Sequence, residues 1–439
     1  MAKRVLIISY YFAPQNQIGA IRPTKLAKYL AAQGNEVTVI CGAGMNAAKD
    51  PTLARDLQEL RDVHIIKEWN PLRAYKARRQ GSAGAPPSAH GAGSSTQQPG
   101  LVHRMTNALY LFLCVLADRS FQRRATRELG KLTGGYDAVF STYAPISVHL
   151  VARAAKRRGL AKRWIADFRD EVGMSFGWQE GYRKRCLSML RREADLLTAV
   201  SDGFLEMMGF KQIGRVLSNG FDRDDLRDVQ PERPAGEPTF RVVYCGQLVE
   251  GRRNVPNRDI APFFRAMRAL VNEGVCAADE LQFVYAGREG ALYRAYAARA
   301  GLEERVENCG QVTRERSLAL QLGADALLMA SWNLSGQTGI LTGKLFEYMM
   351  MEKPILCCMA GDLCGSEAKR VLEETGLGFC AEAAAGEADE RALTDYLRKI
   401  LLCWKQGKTL LLSKNEAQTE KYNYCKLAAQ LDGWMERGR

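Results

Sequence analysis

The sequence predicts an α/β protein made of two doubly wound, parallel-sheet (Rossmann-like) domains. Three observations predict it. Short, continuous apolar runs alternate with amphipathic helical patterns over nearly the whole chain. The alternation stops at a polar stretch with three prolines, Arg227–Pro238, and starts again after it. Finally, 439 residues with 46% apolar and 25% charged side chains exceed one ordinary core, since domains usually run to roughly 100–200 residues.

The strands are read first. Before the polar stretch they fall at Arg4–Ser9, Glu36–Cys41, Val63–Lys67, Asp137–Thr142, Arg163–Phe168, Leu196–Ser201 and Val216–Ser218. After it they fall at Arg241–Cys245, Gln282–Ala286, Val306–Asn308, Ala326–Ala330, Pro354–Met359 and Gly378–Ala381. A strand that is apolar on both alternating faces belongs in a parallel sheet covered by helices on both sides. Helices follow at Ile21–Gln33, closed by Gly34, at Pro145–Arg158, at Glu387–Lys405 and at Asn415–Arg437. The expected organisation is a first domain over 1–225, a linker over 226–239 and a second domain over 240–412. A final helix within 413–439 is expected to pack back on the first domain.

Charge divides the chain in the same way. Residues 1–225 hold 34 Lys and Arg against 20 Asp and Glu, and residues 226–439 hold 28 against 29. The whole excess of +13 therefore lies in the first half. A basic half suits an anionic surface or substrate. A nucleic-acid partner is not expected, because no DNA- or RNA-binding motif accompanies the charge. The twelve cysteines are scattered, without CxxC or metal-like spacing. With no signal-like opening, they read as free thiols in a cytoplasmic protein with no structural metal.

No run reaches the ~20 apolar residues that span a bilayer. The longest, Ala108–Ala117, is flanked by Arg104, Arg119, Arg123 and Arg124. It reads either as a buried core helix or as an interfacial helix resting on a membrane within 101–130. The stretch before it, 72–100, is basic and then rich in Gly, Ser and Pro, and is expected to be a disordered surface loop.

In parallel α/β sheets ligands sit beyond the carboxyl ends of the strands. The strongest candidate segment there is Gln337–Pro354. Thr342 and Gly343 mark a helix start, with Lys344 in the first turn and Glu347 three residues on. A cation is disfavoured at that end of a helix, and a bound anion would resolve the conflict. A plain Lys–Glu surface pair is the other reading. Gly19, followed by Arg22, lies in the loop after the first strand, where the lack of a Cβ permits close approach. His149 follows the strand at Asp137–Thr142 and enters a helix, where a lone histidine is more often structural than a ligand. Asp167, Arg169 and Asp170 follow the next strand, either as an acceptor site or as a buried ion-pair network. Arg252 and Arg253 follow the first strand of the second domain, and paired guanidinium forks suit a diphosphate. Arg288 follows the second. Asp222-Arg223-Asp224 is formally a DxD triplet but reads as a turn.

In their order and spacing these segments resemble family-4 glycosyltransferases of the GT-B fold, from residue 4 to about 405. The resemblance implies two Rossmann-like domains facing a cleft, and transfer of a sugar from a nucleotide-diphosphate donor to a hydroxyl acceptor with retention of configuration. It implies no cofactor and no metal, with a UDP-sugar favoured over a GDP-sugar. Glu347 matches the second Glu of the family's E-x7-E motif, which binds the ribose. Donor contacts are implied for Gly19, Arg288, Thr342 and Gly343, and catalytic roles for His149, Arg252, Arg253 and Lys344. Arg22, Asp167, Arg169 and Asp170 fall on the acceptor side. Two positions depart from the family: Gly339 stands where the first Glu belongs, and Gln247 where a basic residue does. The natural setting is bacterial surface-polysaccharide assembly on a lipid-linked acceptor, at the inner face of the membrane. The alternative is a catalytically inactive GT-B homologue serving as the membrane-surface partner of another transferase.

Overall fold

A computed structural model describes residues 2–44, 49–71, 101–170, 177–234, 239–250, 257–408, 410 and 412–436, with backbone alone for 101–108 and 177–180. The basic Gly/Ser/Pro stretch at 72–100, and Arg252 and Arg253, lie outside the described residues. The chain forms two compact units, Met1–Asn219 with Tyr424–Arg439, and Gly220–Asn423.

In the first unit the chain runs through β1 (Arg4–Ser9), α1 (Ile18–Ala32), β2 (Glu36–Gly42), α2 (Pro51–Arg55), β3 (Asp62–Ile66), α3 (Leu101–Glu128) and β4 (Tyr136–Thr142). It continues through α4 (Ser147–Arg157), β5 (Ala161–Phe168), α5 (Gly177–Glu193), β6 (Leu196–Ala199), α6 (Asp202–Met207) and β7 (Gly214–Val216). The seven strands are parallel in the order β3-β2-β1-β4-β5-β6-β7. The order reverses between β1 and β4, which opens a crevice at their carboxyl ends. Alternate residues of each strand feed two cores. Val5, Ile7, Val39 and Ile165 pack under α1, while Leu6, Ile8, Val139 and Trp164 pack under α3, α4 and α5. Each fully buried large apolar side chain contributes about 1.5–3 kcal/mol. Gly34, at φ 89°, closes α1.

Helix α3 divides between its two readings. Its carboxyl-terminal half is a core helix, with Phe121 and Ala125 fully buried and Asp118 accepting a hydrogen bond from Ser147 at the start of α4. Its middle exposes Leu109 (49%) and Phe112 (59%). Among the described residues no helix is long and apolar enough to cross a membrane.

The second unit runs through β8 (Phe240–Cys245), α7 (Ala261–Asn272), β9 (Leu281–Ala286), α8 (Gly290–Arg299), β10 (Val306–Gly310), α9 (Arg314–Leu322) and β11 (Ala326–Trp332). It ends with α10 (Gly343–Met349), β12 (Ile355–Ala360), α11 (Glu367–Thr375), β13 (Gly378–Glu382), α12 (Glu387–Lys405) and α13 (Glu416–Glu420). Its six parallel strands take the order β10-β9-β8-β11-β12-β13, reversing between β8 and β11.

Two expectations are revised. The division falls at Asn219/Gly220 rather than at 225, and the stretch read as a linker is fastened to the second unit. Glu232 N–H donates to Ala319 O (2.9 Å), and Arg233 grips both Asp325 carboxylate oxygens (2.9 and 3.0 Å). The final helix is also broken in two. Phe221 N–H donates to Tyr422 O at 2.9 Å, drawing the chain between α13 and the last helix, α14 (Tyr424–Glu436), into a bridge. Helix α14 packs on α1 within the first unit through Leu427, Ala428 and Leu431. Lys3 anchors it, with Nζ 2.5 Å from Asp432.

Candidate functional site

The candidate site in the second unit starts at the carboxyl end of β11 and runs into α10. Tyr348 ties this helix down: its hydroxyl donates to Leu328 O and accepts from Cys245 N–H, both at 3.2 Å, spanning β11 and β8. The same turn carries Lys344 and Glu347. Glu347 Oε1 accepts from Lys344 Nζ at 2.5 Å and from Gln321 Nε2 of α9 at 2.8 Å. Lys344 is 30% exposed and Glu347 14%, so the pair is half sunk rather than a plain surface bridge. Burial pushes the Glu347 carboxyl up, but the Lys344 and Arg314 charges and the two hydrogen bonds outweigh it, holding the group below the usual carboxylate range. Arg314 is held in turn, its Nη2 donating to Asp225 at 2.7 Å. Arg314 and Gln321, seven residues apart on α9, share one face. The sequence signal that could have found them was a polar pair on that helix's inward side.

Between the end of β11 and the start of α10 three polar atoms are buried without a hydrogen-bond partner among the described residues: Ser331 Oγ, Trp332 Nε1 and Thr342 Oγ1. Each such group costs about 1–3 kcal/mol, so each is a place where a polar ligand would be satisfied. Gly343 faces open space, and a Cβ there would meet no atom within 4 Å. Gly339 has φ 75°, a left-handed conformation that a glutamate would strain. Arg288 is exposed in the turn between β9 and α8. Asp222 of the DxD triplet caps a short 3₁₀ turn, accepting from Asp224 N–H at 3.0 Å, as expected of a turn.

In the first unit the acceptor-side candidates gather at the carboxyl ends of β1, β4 and β5. Arg22 and Asp167 form a buried pair, 3% and 0% exposed, joined at 2.9 and 3.3 Å. Asp167 also accepts from Thr142 and Thr198 hydroxyls, both at 2.8 Å, and Arg22 donates to Leu217 O at 2.6 Å and to Ser218 O. This network is saturated, so of the two readings offered for Asp167 it is the buried ion-pair one that the geometry forms. Arg169 differs. It donates to Gly19 O, and its guanidinium carbon lies 5.6 Å from the Tyr11 ring centroid, while its Nε has no hydrogen-bond partner among the described residues. Burial pulls its pKa down, partly offset by the charges of Asp170 and Asp167. A Cβ on Gly19 would lie 2.8 Å from Arg169 Nη2 and 3.1 Å from the Tyr11 ring, so a larger residue here would push the guanidinium aside. Asp170 is 69% exposed and 3.6 Å from Arg169 Nε.

His149 is placed unlike a group that meets a sugar. It is fully buried, its Nδ1 is 2.8 Å from Ser141 Oγ, and its ring lies 4.8 Å from Phe168. Nε2 has no partner among the described residues, and burial lowers its pKa to about 3. His149 belongs to the core of the first unit here, because its helix turns it inward beside Trp164 and Phe168.

No protein-family profile matches the sequence, and no curated protein matches it. Solved structures do. Sucrose-phosphate synthase from Thermosynechococcus elongatus matches at 15% identity and TM-score 0.57 over 98% of each chain. An E. coli structure described as trehalose-6-phosphate bound with UDP-2-fluoro glucose matches at 11% and 0.56 over 99% of each. The lipopolysaccharide outer core galactosyltransferase WaaB matches at 13% and 0.51 over 98% of each. At such identities the likeness is one of fold, and it spans both sheets: the chain has the GT-B fold.

Proposed function

We propose that the protein is a glycosyltransferase that moves a sugar from a nucleotide-diphosphate donor to a hydroxyl acceptor. The observation that carries this reading is the Lys344–Glu347 pair at the start of α10, beyond the carboxyl end of β11 at the sheet's reversal point. Glu347 is held ionised, which suits a pair of ribose hydroxyl donors. Lys344 lies in the same turn, placed for the diphosphate. Cleavage of the anomeric C–O bond leaves charge on that diphosphate, and fixed positive groups stabilise it without reorganising. Lys344, Arg252 and Arg253 take this role, with Arg288 at the nucleotide end and configuration retained. A UDP-sugar is favoured, in keeping with the UDP-2-fluoro glucose bound in one neighbour of the same fold.

The acceptor side of this proposal rests on Arg169 and Gly19, with Asp170 at the rim. A lipid-linked saccharide at an anionic membrane surface fits the exposed face of α3. Leu109, Phe112, Arg119 and Arg123 recur at helical spacing and are all exposed, and Trp69, 58% exposed, hydrogen-bonds to Ser120 beside them. Apolar side chains followed by arginines are what an interfacial helix presents. A second reading, donor binding without turnover as partner of another transferase, is favoured by the left-handed Gly339 in place of the motif's first Glu.

Donor-stabilised melting tests the proposal. A nucleotide sugar at 100 times its Kd adds about 2.7 kcal/mol of stability. The expected result is a shift with one nucleotide series that is lost in Glu347→Ala. No shift with any donor, in folded protein, overturns the reading. A shift without transfer to any acceptor selects the second one.

A further inference from the structure

The first unit contains a cavity that the transferase reading does not use. It measures about 680 Å³, and Arg163, Arg191, Arg215 and Trp434 are among its lining residues. That volume is in the range of small-molecule sites. It sits at the wrong end of the sheet for sugar transfer. Arg163 is near the start of β5, Leu196 and Leu197 open β6, and Arg215 lies in β7. In a parallel sheet these are amino-end positions. Five residues separate Arg163 from the carboxyl end of β5, about 16 Å at strand rise.

The lining is basic and underpaired. Among the described residues none of the three arginines is bridged to a carboxylate. Arg163 Nε is buried with no hydrogen-bond partner, Arg191 donates to Gly209 O, and Arg215 lies over the Trp434 ring with its guanidinium carbon 5.6 Å from the centroid. The one acidic lining residue, Asp195, is already engaged by Lys156 Nζ at 2.6 Å and Trp164 N–H at 2.7 Å. Three guanidinium groups around one space repel one another unless an anion joins them, and their planar forks match phosphate oxygens. Apart from Gln212, the rest of the wall is mainly apolar, with Leu196, Leu197, Ile213 and Trp434 among its residues.

We propose that this cavity is a second ligand site, for a small phosphate monoester that carries a flat apolar group. The phosphate joins Arg163, Arg191 and Arg215, and the apolar part lies against Ile213 and Trp434. The site is independent of the donor site, being built from other elements of the chain.

Isothermal titration of the full chain with phenyl phosphate tests it. Binding is expected in wild type and, unchanged, in Glu347→Ala. It is expected to weaken at least tenfold in Arg191→Glu and in Arg215→Glu. Both side chains are exposed, so the variants should melt as wild type does; Arg215→Gln serves if a charge reversal does not fold. Phenol and inorganic phosphate should each bind at least tenfold more weakly than phenyl phosphate. Three results overturn the proposal: no heat at millimolar phenyl phosphate, equal affinity in the arginine variants, or affinity lost in Glu347→Ala instead.

Discussion

Lys344 Nζ lies 2.5 Å from Glu347 Oε1, one turn apart at the start of α10, where a helix disfavours a cation. The carboxylate thus supplies the counter-charge that the lysine's position lacks, and it is itself steadied by Gln321. Replacing Glu347 with Ala leaves Lys344 and Gln321 without that acceptor. The expected cost is about 1–3 kcal/mol in urea unfolding. The group's folded pKa is depressed, so its contribution is full above the ordinary carboxylate pKa of about 4.3 and is lost as pH falls through the folded value. Wild type and Glu347→Gln should therefore converge in stability at acid pH.

Arg22 and Asp167 should behave as structure. Asp167→Ala leaves a buried guanidinium without its carboxylate, and breaking such a pair costs about 3–5 kcal/mol. Arg169→Ala removes a guanidinium that is bound to one carbonyl and an exposed Asp170. It should melt nearer to wild type while losing acceptor turnover. Melting and activity measured together separate the two arginines.

His149 has a folded pKa of about 3, below the unfolded value of about 6.5. The unfolded chain therefore binds the extra proton between these values, and stability falls as pH drops through that window. At pH 5 the loss relative to pH 7 is about 2 kcal/mol. Asp118, raised to about 6 by burial despite its hydrogen bonds with Ser147, acts with opposite sign in part of the same window. Comparing wild type with His149→Gln cancels that term. The stability gap between them should shrink by about 2 kcal/mol from pH 7 to pH 5.

Restoring the motif's first Glu should not help. Gly339→Glu places a side chain at φ 75°, where an L-residue is strained by about 1–2 kcal/mol. The variant should lose that much stability and gain no turnover.

The exposed face of α3 can be tested without touching the donor-side candidates or the amino-end cavity. Phe112→Ser, or Leu109→Ser, should leave the melting temperature within a degree or two while lowering co-sedimentation with anionic phosphatidylserine vesicles several-fold. Unchanged sedimentation would remove the membrane from the proposed acceptor side.

The sequence by itself determined the strands and their parallel, doubly wound class. Continuous apolar runs such as Val5–Ile8 and Val242–Cys245 leave a strand nowhere to go but between two layers of helices. It also located the Lys344–Glu347 turn, because i,i+3 spacing is local. Only the tertiary structure decided which charges face one another. Asp167 could be a ligand or a strut until β4, β6 and α1 brought Thr142, Thr198 and Arg22 onto it. His149, structural on its own pattern and a site residue through the resemblance, was decided when Trp164 and Phe168 closed around Ser141 and its ring. The arginines of the amino-end cavity gave no local signal, since they come from elements far apart in the chain. Contacts of that kind are set by sheet order and helix packing, which spacing along a sequence does not encode.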